Sequence, residues 1–137
     1  MPHEAIGEKM LHILLATTRL ESTHPFVRAL LEDTQVRLDG AASAAEVLQV
    51  VRTSPPHLVI VDHQLPDAES LGLVSKILTV NAMVNSAVVS PLSEQEFHEA
   101  SEGLGVLACL PVEPGTSDAT RLLKGLRKIL GVGSTIV

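Results

Sequence analysis

The chain has 137 residues, 45% of them apolar, and a formal net charge of −6. That length and composition suit one domain over 1–137 with a single core, and the acidic balance argues against general nucleic-acid binding, which depends on neutralising phosphates. Trp and Tyr are absent and Phe occurs twice, so the core must be Leu, Val, Ile and Ala, and stacking of flat ligands is poorly served. The single Cys109 cannot form an intramolecular disulfide and reads as a buried small hydrophobe in a reducing, cytoplasmic setting. The apolar run from Leu11 to Ala16 is too short to span a membrane, and the acidic residues before it do not suit a signal peptide.

Met1 to Met10 reads as a loosely held end, with the core expected over 11–130. His12 to Ala16 predicts the first strand, and the first helix starts near Thr23 with Pro25 in its first turn, where a missing N–H costs little. Val36-Arg37-Leu38 is a weaker second strand. Ser43 with Glu46 three residues on forms a capping box for a helix whose stripe is Ala44, Val47, Leu48 and Val51. Leu58 to Val61 is an apolar third strand running straight into Asp62. A third helix follows Pro66 and carries Leu71, Val74 and Leu78. Ala87-Val88-Val89 is the fourth strand, and a second capping box at Ser93 and Glu96 opens a helix with Phe97, Ala100 and Leu104 as its buried stripe. Val106 to Leu110 is the fifth strand. Ala119, Leu122, Leu123, Leu126, Ile129 and Leu130 mark the strongest amphipathic helix, and Gly131 to Val137 is a second loose end. Short β runs alternating with helical periodicity imply stacked βαβ units around a parallel sheet. Strands one, three and four are nearly continuous apolar runs, as central strands covered on both faces require.

Open α/β folds place ligands at the carboxyl edge of the sheet, so Asp62 is the first candidate for chemistry. The order of elements, Asp62 with the turn Leu65-Pro66, Ser90 closing strand four, and Gly103 to Val112 aligned with G-A-x-x-Y-L-x-K-P-F together resemble the receiver domains of two-component response regulators. The resemblance spans Leu11 to Leu130. It implies a flavodoxin-like, doubly wound α/β fold with five parallel strands in the order 2-1-3-4-5 and five helices. It also implies a role in phosphorelay signalling, with Asp62 as phosphoacceptor and Ser90 in the phosphate pocket.

The departures from the family fall on the chemistry. Thr17 and Thr18 stand where the family has two acidic residues for Mg²⁺, and neutral hydroxyls are poor substitutes for carboxylates. Leu110 stands in place of the lysine, Pro91 removes a backbone N–H that would face a phosphoryl oxygen, and Leu107 replaces the switch aromatic. Phosphoryl transfer relies on fixed charges and donors, so the expectation is a pseudo-receiver without enzymatic activity, working by protein contact. Two readings of Asp62 stay open: a nucleophile that becomes an aspartyl phosphate, or a strand-end carboxylate that binds nearby backbone. Glu21, Asp67 and Glu69 could supply a compensating acid. No cofactor is expected, Mg²⁺ entering only if phosphorylation is retained.

His24 and His63 should lie near Asp62, but they lack a recognised ligand spacing, and His12 and His57 fall at the opposite edge, so no metal site is expected. In receiver relatives the surface of helix four, strand five and helix five is the usual contact face. Here it would include Glu99, Glu102, Val106, Arg121 and Lys124, with both signs of charge for reciprocal pairing in a homodimer. A signalling protein or histidine kinase is the implied partner, with no membrane and no nucleic acid bound by this domain. A third reading is a flavodoxin-like small-ligand binder or enzyme using Thr17, Thr18, Ser22 and Thr23, although that loop lacks the glycines of a phosphate cradle.

Overall fold

The computed structural model describes residues 10–21 and 23–131. Five strands, β1 (Leu11–Ala16), β2 (Val36–Ala41), β3 (Leu58–Val61), β4 (Asn85–Val89) and β5 (Ala108–Leu110), alternate with five helices, α1 (His24–Leu31), α2 (Ala44–Thr53), α3 (Ser70–Val80), α4 (Glu94–Ala100) and α5 (Thr116–Leu130). All strand pairs are parallel, and the sheet order is β2-β1-β3-β4-β5. The fold class and strand order are therefore as expected, with β1, β3 and β4 central.

Alternation along the strands divides the core in two. Leu11, Ile13 and Leu15 of β1 with Leu58 and Ile60 of β3 pack on Phe26 and Leu30 of α1 and on Leu122, Leu123 and Leu126 of α5. Leu14, Ala16, Val59 and Val61 face the other way, onto Val47 and Val51 of α2, Leu73 and Ile77 of α3, and Phe97 of α4. Burial on both faces is why these strands read as continuous apolar runs.

The helix starts carry the chemistry read from the sequence. The Ser43 hydroxyl accepts from the Glu46 amide at 3.2 Å, while Glu46 Oε1 reaches one residue further back, to the Ala42 amide at 2.7 Å. At α4 both halves of the Ser93–Glu96 box form. α5 ends on Gly131 at φ 77°, a left-handed conformation that glycine adopts without steric cost.

Several boundaries and burials differ from expectation. β2 runs on to Ala41, because its Asp39-Gly40-Ala41 segment pairs with Leu14, Leu15 and Ala16 of β1. A solvent-facing edge strand needs no apolar run to pair. β5 is shorter than expected: Val106 and Leu107 precede it, although the Leu107 amide already donates to the Ser86 carbonyl at 2.7 Å. β4 starts two residues early, at Asn85. α3 begins only at Ser70, where the Glu69 carboxylate caps the Leu71 and Gly72 amides. In α4, Ala100 is exposed, and Leu104 lies beyond the helix end, packed on the α2–α4 core through the turn. Ile129 is exposed where a buried stripe was expected. Cys109 is half-buried, because β5 is an edge strand. Of the two ends, Met10 is half-buried and Gly131 closes α5, and 1–9 and 132–137 lie outside the described residues.

Candidate functional site

Asp62 follows β3 directly, and its amide donates to the Ala16 carbonyl at 2.9 Å, so the carboxylate emerges between β1 and β3 at the carboxyl edge of the sheet. It is 1% exposed. A buried carboxylate needs compensating donors, and the chain supplies them from its own loops. Arg19, in the β1–α1 loop, grips it with both ends of the guanidinium: Nε donates to Oδ2 at 2.9 Å and Nη2 to Oδ1 at 2.8 Å. The Thr17 hydroxyl donates to Oδ2 at 2.6 Å. The His63 amide donates to Oδ1 at 2.7 Å, and His63 Nδ1 lies 3.0 Å from the same oxygen.

Burial pushes the Asp62 pKa up, but the hydrogen bonds from Arg19, Thr17 and His63 outweigh it and hold the carboxyl below its usual range. Arg19 in turn is raised, chiefly by its hydrogen bond to Asp62.

Arg19 is also a tether. Its Nη2 donates to the Val112 carbonyl at 2.9 Å, joining the β1–α1 loop, the end of β3 and the β5–α5 loop. The loop that carries it is folded inward: the Thr17 hydroxyl accepts from the Arg19 amide at 2.9 Å, the Thr18 hydroxyl donates to the Gln64 carbonyl at 3.3 Å, and the Thr23 hydroxyl lies within reach of the Arg19 and Leu20 carbonyls. Those hydroxyls are spent on internal contacts rather than presented as a cradle. Ser22 lies outside the described residues.

The remaining candidates distribute as follows. Ser90 is buried just after β4, and its hydroxyl accepts from the Leu92 amide at 3.2 Å, turned into its own loop. Pro91 is exposed, and Leu110 is buried in the α1–α5 core rather than reaching the edge. Leu107 is half-buried and packs on the same core.

The compensating group at Asp62 is a cation and not an acid. Asp67 caps α2 instead, accepting from the Ala44 and Ala45 amides at 2.7 and 3.1 Å, Glu69 caps α3, and Glu21 is exposed. His63 does lie against Asp62, whereas His24 is exposed at the start of α1. His12 and His57 meet at the other edge, the His12 amide donating to His57 Nδ1 at 2.9 Å. Among the described residues no group of three or more His, Cys, Asp or Glu is placed to hold a metal. On the expected contact face, Glu99, Glu102, Arg121 and Lys124 are exposed and Val106 is half-buried, and Arg121 is ion-paired with Asp118 one turn earlier.

Sequence reasoning missed Arg19. A cation three residues after a strand end is common on solvated loops. The signal was relational: a strand-end aspartate without acidic neighbours, once buried, needs a counter-charge, and the nearest basic side chain is the candidate.

No protein-family model matches the chain, and no curated protein matches it. Solved structures do. RcsB of Salmonella typhimurium, a response regulator described for its conformational dynamism in DNA interaction, superposes over 88% of this chain and 61% of its own with a TM-score of 0.77 at 13% identity. A putative response regulator from Chloroflexus aurantiacus gives 0.73 at 17% identity over 90% and 99% of the two chains. A Francisella response-regulator receiver domain gives 0.73 at 16% over 87% and 98%. The chain has the receiver fold. It spans less than two thirds of the RcsB chain but nearly all of the other two. The receiver fold places Asp62, Ser90 and the β5–α5 turn around one sheet edge, which is where the Arg19 tether lies.

Proposed function

We propose that this chain is a receiver-type signalling module that works by protein contact, a pseudo-receiver in which an internal guanidinium holds the place of metal-dependent phosphoryl chemistry. The observation that carries the reading is the two-pronged grip of Arg19 on buried Asp62. Mg²⁺ is usually held by carboxylates together with waters and phosphate oxygens. Here one carboxylate is available, both of its oxygens already accept hydrogen bonds, and the flanking positions are Thr17 and Thr18. The donor set does not suit the ion, and a phosphoryl group would have to displace Arg19 as well. Leu110 in the core and Pro91 without an N–H offer no replacement donors.

The contact surface is the face of α4, β5 and α5, with Glu99, Glu102, Val106, Arg121 and Lys124. Its partner is a signalling protein, a histidine kinase or a second copy of this chain.

The test is titration of the labelled protein with beryllofluoride or acetyl phosphate in the presence of Mg²⁺, followed by amide shifts. The expected result is unchanged shifts at Asp62, His63 and Ser90. Saturable shifts there, absent in Asp62→Ala, would establish instead an atypical receiver still phosphorylated on Asp62.

A further inference from the structure

Among the described residues β5 is an edge strand, paired with β4 alone. A hollow lies on each side of it. The α4-side hollow is open, about 460 Å³, and its lining includes Phe97, Val106 and Cys109 together with Glu94 and His98. The α5-side hollow, about 180 Å³, is lined by Leu107, Ala108, Leu122 and Gly125, with the Asp118–Arg121 pair beside it.

Gly125 makes the second hollow notable. A glycine inside a helix is less favourable than alanine by about 1 kcal/mol. The fold does not require it: its φ is not in the left-handed region, and an added Cβ would stand 4.0 Å from Leu107 Cδ1, an ordinary contact. What the missing side chain does is keep the hollow open beside the strand edge.

An added strand sends successive side chains to opposite faces of a sheet, and the two hollows lie on opposite faces of β5. Their chemistry differs. The α4 side carries Glu94 and His98 in the groove, with the Glu94 charge felt at Cys109 of the strand, whereas on the α5 side Arg121 is balanced by Asp118. We propose that the outer edge of β5 receives an extended segment of a partner protein as a sixth strand, its basic and aromatic side chains facing α4 and an aliphatic one seated beside Gly125. This rests on the reading of the chain as a contact module and names the form its partner takes. Main-chain bonds supply the affinity and the two hollows the specificity. Pro111, directly after β5, has no N–H to extend the ladder.

The probe is a fluorescent peptide alternating Arg-Val-Phe-Leu-Arg-Val, titrated by anisotropy without Mg²⁺ or a phosphoryl donor. Saturable binding with amide shifts at Ala108, Cys109 and Leu110 is expected. Methylating alternate peptide amides, which removes ladder donors, and Gly125→Leu, which fills the hollow, should each weaken binding by about tenfold or more. Glu94→Gln should weaken it less. Circular dichroism of Gly125→Leu checks that its helix is intact. Absence of saturable binding, or binding indifferent to methylation, would overturn the proposal. So would a dimer in sedimentation that buries the same β5 amides, since the occupant would then be a second copy. None of these outcomes bears on Asp62, because the assay contains nothing that reacts there.

Discussion

Replacing Arg19 with methionine keeps most of the stem's packing and removes the guanidinium. Asp62 is then a carboxylate 1% exposed whose remaining donors are Thr17 and His63. Breaking a buried pair by removing one partner costs about 3–5 kcal/mol, because the surviving charge is left uncompensated. Arg19 is itself 16% exposed in its side chain, so solvent screening reduces that figure little. The loss of its bond to the Val112 carbonyl adds to it by untying the β5–α5 loop. A domain of this size is stable by about 7–20 kcal/mol, so Arg19→Met should remain folded but melt roughly 10–20 °C lower.

The assay is urea and thermal unfolding by circular dichroism, since a chain without Trp or Tyr offers no useful intrinsic fluorescence. The double variant Arg19→Met/Asp62→Asn should recover most of the loss, as a neutral pair avoids the stranded charge. The pH dependence follows from the direction of the Asp62 shift. Its folded pKa lies below the unfolded value of about 3.9, so the pair's contribution is present above that pH and is lost as pH falls through the folded pKa. The difference between neutral and acid stability should therefore shrink in Arg19→Met. A single variant within about 1 kcal/mol of the parent, or a double variant no better than the single, would refute the tether.

Restoring acidic residues by Thr17→Asp and Thr18→Asp, with Pro91→Ala and Leu110→Lys, should not recover Mg²⁺ binding while Arg19 remains, because the new carboxylates would pair with it. Adding Arg19→Ala should yield metal-dependent amide shifts in titration, provided the lysine at 110 escapes the core. Asp33 pairs with Arg127 at 2.8 Å, and its pKa is held low first by that hydrogen bond. Asp33→Asn should therefore lose about 1 kcal/mol at neutral pH in urea unfolding, and less below pH 4. Among the described residues Ser86 Oγ is buried without a hydrogen-bond partner, so Ser86→Ala should leave stability unchanged or raise it by about 1 kcal/mol in the same assay. Ser93→Ala removes half of the α4 capping box and should cost about 1 kcal/mol.

The fold was legible because its signals are local and repeated. Burial on both faces left β1, β3 and β4 as apolar runs, and capping serines announced α2 and α4 within a residue. What resisted reading was decided across the chain. β2 extends through Asp39 and Gly40 because β1 lies beside it, which no pattern within Val36–Ala41 reveals. Leu104 packs on the core through a turn that two positive-φ glycines, Gly103 and Gly105, shape after α4 ends. At the site the sequence pointed to Asp62 and the neutral positions around it and not to the cation that pairs with it. Asp67 and Glu69 looked like spare acids, yet each lies at a helix N-terminus where backbone amides claim it first.

Arg19 also bears on how such a site changes. Losing two metal-binding acids beside a buried aspartate would by itself strand a charge, at a cost of several kcal/mol. A guanidinium balances that charge with geometry matched to a carboxylate, two parallel bonds from one rigid plane. It also reaches the Val112 carbonyl, so three loops that a metal and phosphoryl group would otherwise draw together are held by one side chain. A signal that worked by ordering those loops would find them already ordered. The state in which this edge is fixed is therefore set by the chain itself. On the contact-module reading proposed above, the surface left for a partner is the outer face of β5.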